Sequence, residues 1–154
     1  MSMTLYLHAK ELQHLAGRFL DEPMEMHYTD IEEWKEVQAR LRSGIDHLVK
    51  RQGTTPDEEA ERLLAILMGY CVAVRDSRCV EHVLWQAEQV LPEVQDPVLK
   101  CYLTVFCYLE CPDEELGEQV HQQMAELRET GRGEELKVLE KLLENIEVGE
   151  AAIR

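Results

Sequence analysis

Cys101, Cys107, Cys111 and His121 are the residues best suited by type to do chemistry. Thiolates and imidazole bind zinc, and a thiolate beside a histidine is a nucleophile. The C-x5-C-x3-C spacing matches none of the common structural zinc frameworks. The segment that carries these thiols is apolar around most of its helical circumference, so all three are read as buried thiols packing like small hydrophobes. There is no glycine-rich phosphate loop, no G-x-S-x-G elbow and no H-E-x-x-H. No catalytic, cofactor or metal residue is therefore expected, and the chain reads as a non-enzyme. A small enzyme using Cys107 or Cys111 with His121 is the third-ranked alternative. His8 falls on the apolar face of the first helix and is read as a satisfied core histidine, while His14, His27 and His47 fit solvent or turn positions. The acid groups Glu58-Glu59 and Asp113-Glu114-Glu115 fall in first helical turns, where carboxylates complement the helix dipole.

The two tryptophans separate by helical phase. Trp34 lies within an apolar stripe and is read as core. Trp85 points nearly opposite the stripe formed by Val80, Val83, Ala87 and Val90, at about 100° per residue. It shares that outer face with Arg78, His82 and Gln89. Such a tryptophan either packs on a neighbouring helix of its own domain or anchors a protein partner, since Trp, Tyr and Arg dominate binding hot spots.

The elements that position these residues are helical throughout. No segment alternates as a strand does, and there is no Asn-Gly or Asp-Gly hairpin signal. The first helix is expected from about Thr4 to Leu20, with Leu5, Leu12, Leu15, Ala16 and Phe19 on one face, ending at Asp21-Glu22-Pro23. Thr29 and Glu32 form a capping box for the second, striped by Ile31, Trp34, Val37, Leu41, Ile45 and Leu48 and closed by Gly53. Thr55, Pro56 and Glu58 start the third, which reaches about Arg75. From Leu63 to Val74 it is uncharged for twelve residues, and a helix apolar on all sides must be buried on all sides. Asp76-Ser77 starts the fourth, with Leu84 and Leu91 on its inner stripe and Pro92 at its end. Asp96 caps and Pro97 opens the fifth, to about Glu110. Pro112 opens the sixth, with Leu116, Val120, Met124 and Leu127 inward, until Gly131. The seventh carries Leu136, Leu139, Leu143 and Ile146 and stops near Gly149.

The expectation is an all-α fold, a compact bundle of about seven helices arranged mostly as antiparallel hairpins. The length of 154 residues suits a single helical domain over 1–154. The linker Asp21 to Tyr28 is the place where the first helix, residues 1–20, would swing if it moves, and that helix is counted within the domain. The five cysteines are an odd number, four of them inside predicted helices, and no secretion signal is evident. Both points indicate reduced thiols in a cytoplasmic protein. Charge is uneven: residues 1–55 carry −2 of the net −15, and residues 56–154 carry −13. That surface repels nucleic acid and anionic membrane and favours basic protein partners.

Over residues 55–121 the chain resembles the UpxZ family of transcription anti-terminator antagonists. The matching stretches are Thr55-Pro56-Asp57-Glu58-Glu59-Ala60, Leu67-Met68-Gly69-Tyr70, Leu99-Lys100, Cys107-Tyr108-Leu109-Glu110, Asp113-Glu114-Glu115-Leu116 and His121. The pattern departs at Cys71, where the family often carries Asn. Residues 55–148 form the family-like core, and the N-terminal third agrees only in being helical. The resemblance implies a small cytoplasmic regulator encoded with capsular polysaccharide genes in gut commensal bacteria. Members antagonise NusG-like (UpxY-type) anti-termination factors, so that one capsule locus silences others. On this reading Trp85, His82 and Gln89 are candidate anchors for the partner, and the acid-rich helix starts, Asp113, Glu114 and Glu115 among them, are steering charges. Leu67, Met68, Gly69 and Tyr70 serve packing, with Gly69 allowing close helix approach at about 1 kcal/mol in propensity against Ala. The alternative is a generic acidic helical adaptor unrelated to transcription.

Overall fold

In the computed structural model the described residues are 2–21, 31–72, 77–131, 136, 137, 139–141, 143 and 144. They are all-α, with no strand among them. The helices are α1 (Ser2–Asp21), α2 (Ile31–Val49), α3 (Pro56–Val72), α4 (Ser77–Val90), α5 (Pro97–Glu110) and α6 (Glu114–Glu129). A 3-10 turn, Leu91–Glu93, follows α4, and the described residues from 136 to 144 belong to a seventh helix. Several expectations lie outside the described residues: the linker after Asp21, the Thr29–Glu32 capping box, His27, Asp76 and the end of the seventh helix at Ile146 to Gly149. So do the side-chain positions of Phe19, Ile31, Trp34, Cys71 and Arg78. No described helix is long and apolar enough to cross a membrane.

The chain divides into two units, residues 1–95 and 96–154. In the first, α3 is the central element, packed by α1, α2 and α4. Every residue from Ala60 to Tyr70 is buried. Its coat comes from the expected stripes: Leu5, Ala9, Leu12, Leu15 and Ala16 of α1, Val37, Leu41, Ile45 and Leu48 of α2, and Val80, Val83, Ala87 and Val90 of α4. Gly69 brings the helices close, since a β-carbon there would lie 2.8 Å from Ile45 Cδ1.

The buried stretch begins three residues earlier than hydropathy indicates and includes two charges, Glu61 and Arg62. Each has partners. Glu61 accepts from Gln13 Nε2 at 2.7 Å and pairs with Lys10 Nζ at 3.0 Å, tying α1 to α3. Arg62, 1% exposed, donates to the Leu48 carbonyl at 3.0 Å and pairs with Glu59, tying α3 to the end of α2. Glu59 Oε1 also accepts the Gly53 N–H at 3.2 Å. Gly53 therefore does not close α2, which ends at Val49; it lies against the start of α3, where a β-carbon would meet the Glu59 backbone nitrogen at 2.5 Å.

Thr55 caps α3 as expected, its hydroxyl accepting the Glu58 N–H at 3.1 Å. Glu58 reaches back one residue further than the simple capping box, accepting from the Thr54 N–H at 3.3 Å and its hydroxyl at 3.1 Å. Asp57 accepts the Gln95 N–H at 2.7 Å and pins the strand-like exit of the 3-10 turn to the head of α3.

In the second unit, Asp96 caps α5 by accepting from Val98 and Leu99, with Pro97 at the first position. Buried residues lie on all sides of α5: Leu99, Cys101, Leu103, Thr104, Val105, Phe106, Cys107 and Tyr108. Its buried hydroxyl, on Thr104, donates to the Lys100 carbonyl at 2.7 Å. The short connection folds α6 back beside it, and the Tyr108 ring packs on Gly117, where a β-carbon would lie 3.2 Å from the ring. Asp113, rather than Pro112, starts α6, accepting the Glu115 N–H at 3.0 Å. Val120, Met124 and Leu127 face inward, and Gly131 ends the turn with φ of 79°, a left-handed conformation that favours glycine.

Candidate functional site

The thiol cluster is not assembled as a site. Cys101 and Cys107 are buried, and burial pushes the Cys101 thiol up to about 11, away from thiolate chemistry. Cys111 departs from its expected burial: it stands at the C-terminal cap of α5, where the chain turns to solvent, and is exposed. His121 is exposed on α6. Among the described residues no group of three or more His, Cys, Asp or Glu could hold a metal ion.

His8 also departs from its expected role. It is half-buried with its Nδ1 buried and without a hydrogen-bond partner, and it meets the His47 ring edge-on at 4.8 Å between centroids. His47 and His14 are exposed.

What the first unit does present is the outer face of α4. Trp85 is 58% exposed, so no described helix of its unit covers it fully. That exposure leaves more than half of the residue accessible to a partner. Its indole stacks on His82, with centroids 6.3 Å apart and planes 13° from parallel. Helical spacing puts Glu81 four residues before Trp85 and Glu88 three after, and both are exposed on the same face with Gln89. The fourth-helix geometry thus brings Trp85, His82 and Gln89 together, as their spacing indicates.

Beside this face is a cavity of about 250 Å³, lined by Val49 of α2, Arg62 of α3, and Cys79, His82, Val83 and Gln86 of α4. Its lining is almost wholly apolar. Arg62 therefore offers its hydrocarbon stem there, its guanidinium being held by Glu59 and Leu48. Val49, 42% exposed, forms part of the rim. His82 belongs to both features, walling the cavity and stacking on Trp85. Sequence inspection misses the cavity because its walls come from three helices, and its floor is an arginine that hydropathy assigns to the surface.

The acidic candidates belong to the other unit. Asp113, Glu114 and Glu115 are all exposed at the head of α6, with one Asp113 oxygen engaged in the cap.

No curated protein matches the chain. A crystal structure of the transcription anti-terminator antagonist UpxZ from Bacteroides uniformis, at 1.68 Å, superposes with a TM-score of 0.82 and 25% identity, covering 95% of this chain and 94% of that one. The model of the UpxZ family of transcription anti-terminator antagonists matches residues 9–109. The match thus takes in α1 from Ala9, all of α2, α3 and α4 and all but the last residue of α5, and stops before Asp113 and His121. With two thirds of its length inside that model, the chain belongs to the UpxZ family of transcription anti-terminator antagonists.

Proposed function

We propose that this protein is a non-catalytic cytoplasmic regulator that binds NusG-like, UpxY-type anti-termination factors of other capsular polysaccharide loci and blocks their action on the transcribing polymerase. The observation that carries this reading is the exposed Trp85–His82 stack on α4, within the part of the chain matched by the family. A large exposed aromatic contiguous with an apolar cavity forms a patch of the kind that partners cover. Trp85, His82 and Gln89 anchor the factor, and Asp113, Glu114 and Glu115 contribute to the negative field that draws a basic protein in. Anchors govern residence time, whereas field charges govern the rate of encounter.

The test is direct binding of the purified chain to purified NusG-like anti-terminators, followed by surface kinetics at rising salt. The expected result is a complex whose association rate falls as salt rises while dissociation changes little. A chain that captures no such factor, but holds a stable unrelated protein, is instead a general helical adaptor.

A further inference from the structure

The anchor reading names a face without saying what chemistry it recognises, and the cavity beside Trp85 supplies that. Resting on the proposed antagonism, we infer that the bound segment of the anti-terminator inserts one aliphatic side chain into the Val49–Arg62–Val83 cavity. An adjacent arginine or lysine of the same segment lies on the exposed face of Trp85, between Glu81 and Glu88.

The cavity argues for the aliphatic group. At about 250 Å³ it falls below the roughly 300–1,000 Å³ of small-molecule sites. It has ample room for one large aliphatic side chain, since an apolar cavity of about 150 Å³ already admits benzene. Its walls expose almost no polar surface, and the one cation among them is engaged by Glu59 and the Leu48 carbonyl. A charged or hydrogen-bonding group entering here would lose its hydration without a partner, whereas a methyl-bearing group loses nothing. Three of the lining residues, Val49, Cys79 and His82, are exposed, so the mouth is reachable from solvent.

The rim argues for the cation. Trp85 offers an aromatic face, the best surface for a guanidinium or ammonium group. Glu81 and Glu88 stand one turn to either side on the same exposed stripe, where a cation resting on the ring would meet a carboxylate in both directions. Because His82 joins the ring to the cavity wall, the two sub-sites are contiguous, and neighbouring side chains of one partner element fill them together. Charge also decides against other occupants. A second copy of this chain would bring another −15, and nucleic acid would bring its phosphates, to a surface already negative.

The experiment measures binding of full-length variants to an anti-terminator that the unaltered chain binds, with thermal stability recorded for each. Cys79→Phe fills the cavity from an exposed position, and Trp85→Ala removes the platform. Each is expected to weaken binding at least thirtyfold, chiefly through faster dissociation, with a melting temperature close to that of the unaltered chain. Glu81→Lys with Glu88→Lys is expected to weaken binding about a hundredfold, whereas Glu118→Lys with Glu129→Lys, the same charge change on α6, alters only the association rate by a few fold. Trp85→Phe, which keeps an aromatic face, is expected to recover most of the affinity. If the unaltered chain binds and Cys79→Phe and Trp85→Ala bind within twofold of it, the recognition model fails while the antagonist reading stands. If the unaltered chain binds no anti-terminator, both fall. Equal effects of the α4 and α6 charge pairs would overturn the cation site and leave general steering in its place.

Discussion

Arg62 on α3 and Trp85 on α4 invert what hydropathy assigns them: the arginine is 1% exposed and the tryptophan 58%. The two helices are neighbours, and the contrast separates an exception the fold explains from one it does not. Arg62 has an ion pair with Glu59, a carbonyl at the end of α2, and a stem packed along the cavity wall. Its burial is complete in the isolated chain. Trp85 stacks on His82 and remains more than half exposed. Nothing within the described chain offsets that exposure, which is why the functional argument falls on α4 rather than on α3.

The sharpest way to break this contrast is at Arg62. Arg62→Ala leaves the Glu59 carboxylate without its cation, the Leu48 carbonyl with the Arg51 N–H alone and a void under the cavity floor. Removing one member of a buried pair typically costs about 3–5 kcal/mol, and the partial exposure of Glu59 puts the expected loss near the lower end, about 3 kcal/mol, by denaturant unfolding. Trp85→Ala, by contrast, is expected to stay within about 0.5 kcal/mol, the range of ordinary surface changes. If the two losses were similar, Trp85 would be a structural residue and the contrast would collapse.

Much of this arrangement is legible from residue order. The helical periodicity, the Thr55 and Asp96 caps, the apolar stripes of α1, α2 and α4 and the outward phase of Trp85 follow from spacing and propensity, which are local properties. Glu61 and Arg62 were not legible. An arginine next to an apolar run reads as the last solvated residue before the core, and only the arrival of the Leu48 carbonyl, fourteen positions away, makes its burial possible. The cavity is hidden for the same reason, since Val49, Arg62 and Cys79 become neighbours only when α2, α3 and α4 pack. Cys111 shows the opposite limit: its type indicates core, but it falls one residue past the end of α5, where a helix terminus meets solvent.

Gly53 tests how the connection into α3 is held. Its N–H donates to the same Glu59 oxygen that pairs with Arg62, and a β-carbon would press on the Glu59 backbone, which cannot move aside without unseating the helix start. Gly53→Ala is expected to cost about 1–3 kcal/mol, as overpacking typically does. Gly69→Ala is expected to cost less, because the obstructing atom there is the end of the Ile45 side chain and Ala regains about 1 kcal/mol of helix propensity. Equal losses in parallel unfolding curves would mean that the Gly53 contact relaxes and that Arg62 alone anchors the connection.

The smallest effect is expected at the α1–α2 contact, where His47 meets His8. Partial desolvation, then the charge of Arg51, the His8 ring and the charge of Lys50, hold His47 below its usual value of 6.5. The folded chain therefore takes up a proton at His47 less readily than the unfolded chain. This contribution to stability is present above about pH 6.5 and is lost as pH falls through the lowered folded value. His47→Gln removes the titration and keeps a side chain of similar reach, so the decline in melting temperature between pH 7 and pH 5 should be shallower than in the unaltered chain. Identical slopes would place the acid sensitivity elsewhere. An effect confined to this contact should give His47→Gln the same course of Trp85 fluorescence with pH as the unaltered chain, because the contact lies between α1 and α2 and the indole lies on the outer face of α4.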